Sequence, residues 1–146
     1  GDVYKRQPLP VYQEPVESPL SQPELARTYP LVLTTGARNI VYTHSQFRQI
    51  KSLHRMMPEP LVDINPADAS ERGIKPGDEV EVISKRGKIR LKARLTDEVK
   101  AGVVHVPHHW PGEANVNILI DDSTLDPVSG FAPLKSQLCQ VALARN

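Results

Sequence analysis

Residues 74–95 read IKPGDEVEVISKRGKIRLKARL. This stretch decides the fold class. Pro76 and Gly77 occupy the positions that a type II turn prefers. From Glu79 to Ser84 apolar and polar residues alternate, as they do in a strand with one face buried. Lys85-Arg86-Gly87-Lys88 then reads as a hairpin turn, and Ile89 to Leu95 alternates again. In that second strand Ile89, Leu91, Ala93 and Leu95 share one face, while Arg90, Lys92 and Arg94 share the other. The six basic residues between Lys85 and Arg94 are therefore the solvent side of a hairpin.

The same signals extend outward. Upstream, Leu61-Val62-Asp63-Ile64 is a short strand. Asn65 after it caps a helical turn with Pro66 at its first position, and Gly73 ends that turn. Downstream, Val103-Val104-His105-Val106-Pro107 and Gln140-Val141-Ala142-Leu143 read as strands. Pro30 to Thr35 is an apolar, β-branched run ended by Gly36. Ser45 is placed to cap a helix from Gln46 to about Met57, carrying Phe47, Ile50, Leu53 and Met57 at helical spacing up to Pro58. Six or seven short strands with two or three short helices predict a mainly β chain closed as a small barrel or sandwich. Residues 108–138 form a connection long enough to expect a functional loop.

Residues 1–28 differ from the rest. Pro8, Pro10, Pro15, Pro19 and Pro23 fall among polar residues and argue against a helix or a central strand there. We expect a Pro-rich arm or inter-domain linker over 1–28 and a barrel domain over 29–146. The first residue is Gly, which suggests a piece of a longer polypeptide.

Composition narrows the class. With 18 Lys and Arg against 17 Asp and Glu in 146 residues, the chain offers no electrostatic footprint for nucleic acid. No apolar run reaches the roughly 20 residues of a membrane span, so no membrane insertion is expected. One Cys excludes an internal disulfide and a cysteine-based zinc site. Cys139 reads as a buried, inert thiol. His105, His108 and His109 lack metal-site spacing, and a zinc site is rejected; His105 reads as a strand residue whose ring is satisfied locally. Asp121, Asp122 and Asp126 read as turn and capping residues.

Four segments in order carry a resemblance. They are Leu33-Thr34-Thr35-Gly36-Ala37-Arg38 followed by Thr43-His44-Ser45-Gln46; the run from Asp63 to Trp110; Ala114 to Leu119; and Asp126-Pro127-Val128-Ser129-Gly130-Phe131-Ala132-Pro133-Leu134-Lys135. Together these resemble the C-terminal molybdopterin dinucleotide-binding domain of the dimethyl-sulfoxide-reductase-like oxidoreductases, over roughly residues 8–143. The resemblance implies a double-psi β-barrel of the aspartate-decarboxylase-like type. It also implies a cofactor, a molybdenum or tungsten ion held by two molybdopterin guanine dinucleotides, which this domain caps without ligating the metal.

The cofactor-binding residues that the resemblance implies are Thr35, Gly36, Ala37, Arg38, His44, Ser45, Gln46, His109, Trp110, Asn117 and Lys135. Their chemistry is suited to the task. A strand entering Gly36 bares backbone amides to an anion, and Arg38 adds charge-assisted hydrogen bonds. His44 to Gln46 stand where a helix N-terminus is expected, Ala37 contributes backbone only, and Trp110 is either a pterin contact or a core anchor. An Asn side chain matches the mixed donor–acceptor edge of a pterin or guanine, and the family pattern selects Asn117 over Asn115. Ile120 stands where the family often has Thr, which removes one hydroxyl. No catalytic residue is expected, and the isolated chain is expected to be inactive.

The implied partners are the remaining domains of the parent catalytic subunit and an iron–sulfur electron-transfer subunit, in the setting of anaerobic respiration. The compartment reads as cytoplasmic, or periplasmic if a preceding segment carries an export signal. Two alternatives share the fold: a free-standing barrel subunit of such a complex, and a double-psi protein-interaction module.

Overall fold

The computed structural model describes residues 11–36 and 39–145. Its elements are α1 (Pro23–Thr28), β1 (Leu31–Thr34), α2 (Lys51–Met56), β2 (Leu61–Ile64), α3 (Pro66–Glu71), β3 (Glu79–Ile83), β4 (Lys88–Leu95), β5 (Val103–His105) and β6 (Gln137–Leu143). The six strands close into a barrel in the order β1-β5-β2-β4-β3-β6. β1 runs parallel to β5 and β2 parallel to β4, and the other four pairings are antiparallel.

The order has an internal symmetry. Replacing β1, β2 and β3 by β4, β5 and β6, and the reverse, returns the same set of pairings, with the two parallel pairs exchanged. The first half places β1 and β2 on either side of β5, and the second half places β4 and β5 on either side of β2. Each half thus threads a strand of the other through its own open connection. This is the double-psi β-barrel.

The alternation read from the sequence fills the interior. Val80, Val82, Ile89, Leu91 and Ala93 from the β3–β4 hairpin are buried, with Leu31, Leu33, Val62, Ile64, Val104 and Val141 from the remaining strands. Asn65 accepts the Ala67 amide at 3.0 Å, with Pro66 opening α3, and Gly73 follows at φ +66°. Cys139 lies inside β6, and burial pushes its thiol well above the ordinary range, leaving it inert.

Two expectations are corrected. The helix expected from Gln46 begins only at Lys51, with Ile50 as its N-cap. His44 and Phe47 adopt φ of 53° and 73°, and a right-handed helix cannot pass through left-handed residues. Thr43 to Ile50 instead form two successive tight turns, closed by Gln46 N–H to Thr43 O and Ile50 N–H to Phe47 O, each 3.0 Å. Ser45 is therefore no helix cap, and no helix N-terminus meets an anion there.

The second correction concerns the arm, which carries α1 although no helix was expected in it. Pro23 is tolerated because it sits in the first helical turn, where an amide has no partner to lose.

Within the described part of this stretch, Glu17 is anchored on the barrel. The Glu17 side chain is buried and forms ion pairs with Arg86 and Lys85. Its carboxylate accepts the Leu138 amide at 2.7 Å, and its carbonyl accepts Ser136 Oγ at 2.7 Å. Burial alone would raise the Glu17 pKa, but the hydrogen bonds from Arg86 and Leu138 outweigh it and hold the carboxyl below the usual 4.5. Because the folded value lies below the unfolded one, the stabilisation is complete above pH 4.5 and is lost as pH falls through the folded value. Glu17→Ala is expected to cost about 3 kcal/mol in urea unfolding at pH 7, the order for breaking a buried pair. The gap between variant and wild type should narrow as the titration proceeds below pH 4.5.

Candidate functional site

At one end of the barrel a cavity of about 700 Å³ opens between five segments of the chain. They are the exit of β1 at residues 35–36, the turns at 44–48, the segment after β5 at 108–111, the 3-10 turns at 115–117, and residues 131–135 before β6. Of the residues expected in the site, Thr35, Gly36, His44, Ser45, His109, Trp110, Asn117 and Lys135 all line it. Gln46 does not; it is exposed, and its amide is spent on the Thr43 carbonyl. Ala37 and Arg38 lie outside the described residues.

The first wall is the end of β1. Thr35 is buried, its amide bonded to Leu134 O at 3.2 Å, and Gly36 donates its amide to Thr34 Oγ1 at 3.1 Å. Gly36 has φ +61°, and a Cβ there would overlap the His105 ring. Lys135 donates Nζ to the Gly36 carbonyl and, at 3.4 Å, to Thr35 Oγ1. This ties together two segments 100 residues apart in sequence.

The second wall is aromatic. Tyr42 is buried, bonds the Met57 carbonyl at 2.7 Å, and sets its ring edge-on to His109 at 6.0 Å and Trp110 at 6.2 Å. The Arg48 guanidinium lies 5.0 Å from the Trp110 ring centroid. Arg48 was missed in the sequence, where the expected helix from Gln46 hid it; a cation two residues beyond the His-Ser-Gln triplet was the available signal. His108 joins this wall, its ring centroid 5.5 Å from that of His44. Trp110 is thus a wall residue of the cavity.

The third wall is the 3-10 turn Val116–Leu119. Asn115 Oδ1 accepts the Asn117 amide at 3.1 Å as the cap of that turn, while Asn117 is exposed at the cavity. Both Asn115 and Asn117 line the cavity. The β3–β4 hairpin supports the turn from below: Ser84 Oγ and Arg86 Nη1 both donate to Leu119 O, at 3.1 and 3.2 Å. Gly87 leaves the room required, since a Cβ there would stand 2.8 Å from Ile118 Cγ2. The hairpin's role was invisible in its own sequence, because its partner lies more than 30 residues away.

The donor set suits a dinucleotide. Lys135 and Arg48 supply charge for a diphosphate, and the Asn117 amide suits the mixed edge of a guanine or pterin. His109 Nε2 and Trp110 Nε1 are buried without a hydrogen-bond partner among the described residues. Buried polar atoms in this condition are costly unless a ligand completes them. Among the described residues no cluster of His, Cys, Asp and Glu could hold a metal ion, and the Asp121 and Asp126 carboxylates are engaged in local turns with Ser123 and Ser129.

Burial pushes the His109 ring pKa down to about 4, aided by repulsion from His108, Arg48, His44 and His105. The ring is therefore neutral at pH 7, with one nitrogen free to accept. Between pH 6.5 and about 4 the unfolded chain binds this proton more tightly than the folded one, so the contribution of His109 to stability falls as pH drops through that window. In an NMR titration the His109 ring is expected to stay neutral until about pH 4. Gly36→Ala is expected to destabilise the chain by more than about 2 kcal/mol in urea unfolding, from the left-handed backbone and the overlap together.

Comparison with known proteins agrees with this fold. The model of the family described as "Molydopterin dinucleotide binding domain" matches residues 31–138. The F420-dependent formate dehydrogenase subunit alpha of Methanocaldococcus jannaschii is 42% identical over 121 residues, which are 82% of this chain and 17% of that protein. Dopamine dehydroxylase of Eggerthella lenta is 39% identical over 139 residues, 88% of this chain and 14% of that protein. Among solved structures, acetylene hydratase from Pelobacter acetylenicus superimposes with a TM-score of 0.83 at 27% identity, covering 93% of this chain and 21% of that one. The chain thus spans about a fifth or less of the length of these proteins. A double-psi barrel and a family match across most of its length make this chain a member of the molybdopterin dinucleotide-binding domain family.

Proposed function

We propose that this chain caps the cofactor of a larger molybdenum or tungsten oxidoreductase, and that its cavity takes one guanine dinucleotide arm of a molybdopterin. The observation that carries this reading is the convergence of sequence-distant segments on one cavity with two partnerless buried nitrogens, His109 Nε2 and Trp110 Nε1. Lys135 and Arg48 hold the diphosphate, Asn117 reads a ring edge, and the Thr35–Gly36 backbone lets the ligand approach closely. Neutral His109 accepts from the ligand and Trp110 donates to it. The bound group supplies the metal and its redox chemistry; the chain orients that group and screens it from water.

The small share of each relative that the chain covers supports a domain of a longer catalytic subunit over a free-standing one. We expect residues 1–28 to form the arm entering the domain at 29–146. The other domains of that subunit are the direct partners, and an iron–sulfur electron-transfer subunit is a partner of the whole assembly. The reaction belongs to those other domains, and the chain alone is expected to be inactive.

Titration of the labelled chain with guanosine diphosphate tests the reading. Amide shifts are expected at Thr35, Gly36, Ser45 and Asn117, with weak affinity because one wall of the site belongs to other domains. Lys135→Ala is expected to weaken binding about tenfold, the order for one charge-assisted hydrogen bond. Shifts confined to residues outside the cavity would overturn the assignment.

A further inference from the structure

His105 has two partners, and both are acceptors. Its Nδ1 lies 2.7 Å from Asp63 Oδ2, and its Nε2 lies 3.2 Å from the carbonyl of Thr35. A ring nitrogen that carries a proton donates to the oxygen it faces, and the Thr35 carbonyl can only accept. Asp63 is itself fixed: it is buried on β2 and accepts Arg94 Nε at 2.6 Å and Nη2 at 2.9 Å. Burial works to raise the Asp63 pKa, but the bonds from His105 and Arg94 outweigh it, so the carboxyl titrates below its ordinary range.

The register explains why these groups meet. Asp63 faces Arg94 across one side of β2 and His105 across the other, and His105 faces Thr34 on β1. Beyond Thr34 the chain turns, and Gly36 lies on the His105 ring so closely that no Cβ fits. Thr34 Oγ1, from the same rung, holds the Gly36 amide. From the other side Lys135 holds the Gly36 carbonyl. The His105 ring does not line the dinucleotide cavity; it lies on the far side of Gly36, lining a second hollow with Asp63 and Arg94.

We infer that His105 is a positioning residue for the ligand: clamped by Asp63, it fixes the Thr35 carbonyl and supports Gly36, and so sets the β1 exit at the height the dinucleotide requires. This rests on the dinucleotide reading of the cavity. A mobile β1 exit would hold this wall of the cavity, and the Lys135 ammonium bonded to it, in place only part of the time, and the ordering cost would appear as lost affinity.

The test uses the labelled chain in wild-type, His105→Phe and His105→Gln forms. Phe keeps a ring under Gly36 and removes both hydrogen bonds; Gln restores a donor to Thr35 O. Gly36 amide exchange in His105→Phe is expected to quicken about tenfold and guanosine diphosphate affinity to fall about tenfold, the order for one lost supporting bond. His105→Gln is expected to recover part of both, while Asn117 amide exchange stays at its wild-type rate. A folded His105→Phe chain with wild-type Gly36 exchange and affinity would overturn the inference. Should wild type bind no guanosine diphosphate, the reading of the cavity fails, and Gly36 exchange still decides the role of His105. Should the variants fail to fold, the wild-type ring spectrum decides. A solvent-protected proton on Nε2, the nitrogen that faces the Thr35 carbonyl, is expected, and an Nε2 proton that exchanges at the solvent rate would overturn the clamp.

Discussion

One buried carboxylate holds four strands in step. Asp63 stands on β2, between β4 and β5 in the barrel order, and bonds to a side chain on each, Arg94 and His105. A one-residue slip of β2 against either neighbour would turn the side chain to the opposite face and leave its charge unpaired among apolar groups. The pairing therefore works as a register mark as well as an attraction. Through His105 the mark reaches Thr35, and so the β1 exit inherits its position from a rung that starts at Arg94 on β4. The site is an extension of the barrel's own hydrogen-bond order.

The strands were legible because their information is local. Alternation in Val80–Ile83 and Ile89–Leu95, the Asn65-Pro66 start of α3, and the turn at Pro76-Gly77 each involve neighbours in sequence. The expected helix from Gln46 was misread for the same reason. Phe47, Ile50 and Leu53 have helical spacing, but two left-handed residues, His44 and Phe47, divide the segment into turns, and no residue-type signal marks them. Helix α1 was passed over because the density of prolines hid the one position, Pro23, where proline starts a helix.

The lining of the cavity was legible in outline, because the family pattern names residues without needing to know what supports them. Its support was not legible. Glu17 meets Arg86 at a separation of 69 residues and Leu138 at 121. His105 was expected to be satisfied locally, and its partners are 42 and 70 residues away. Gly87 reads as an ordinary hairpin glycine until Ile118 is placed above it. In each case the sequence displays a side chain of ordinary type, and its meaning depends on which distant strand the barrel brings alongside.

The interlocking of the two halves has a consequence for the order of assembly. In the finished barrel β1 is flanked by β5 and β6, so both of its edges wait for the last third of the chain. Of the adjacent pairs, only β3 and β4 are joined by a tight hairpin, and they can form early. The cavity draws on residues from Thr35 to Lys135 and borders the entry to β6. It comes into being only when the final strand closes the ring. A chain lacking β6 would keep every residue that lines the cavity and have no cavity.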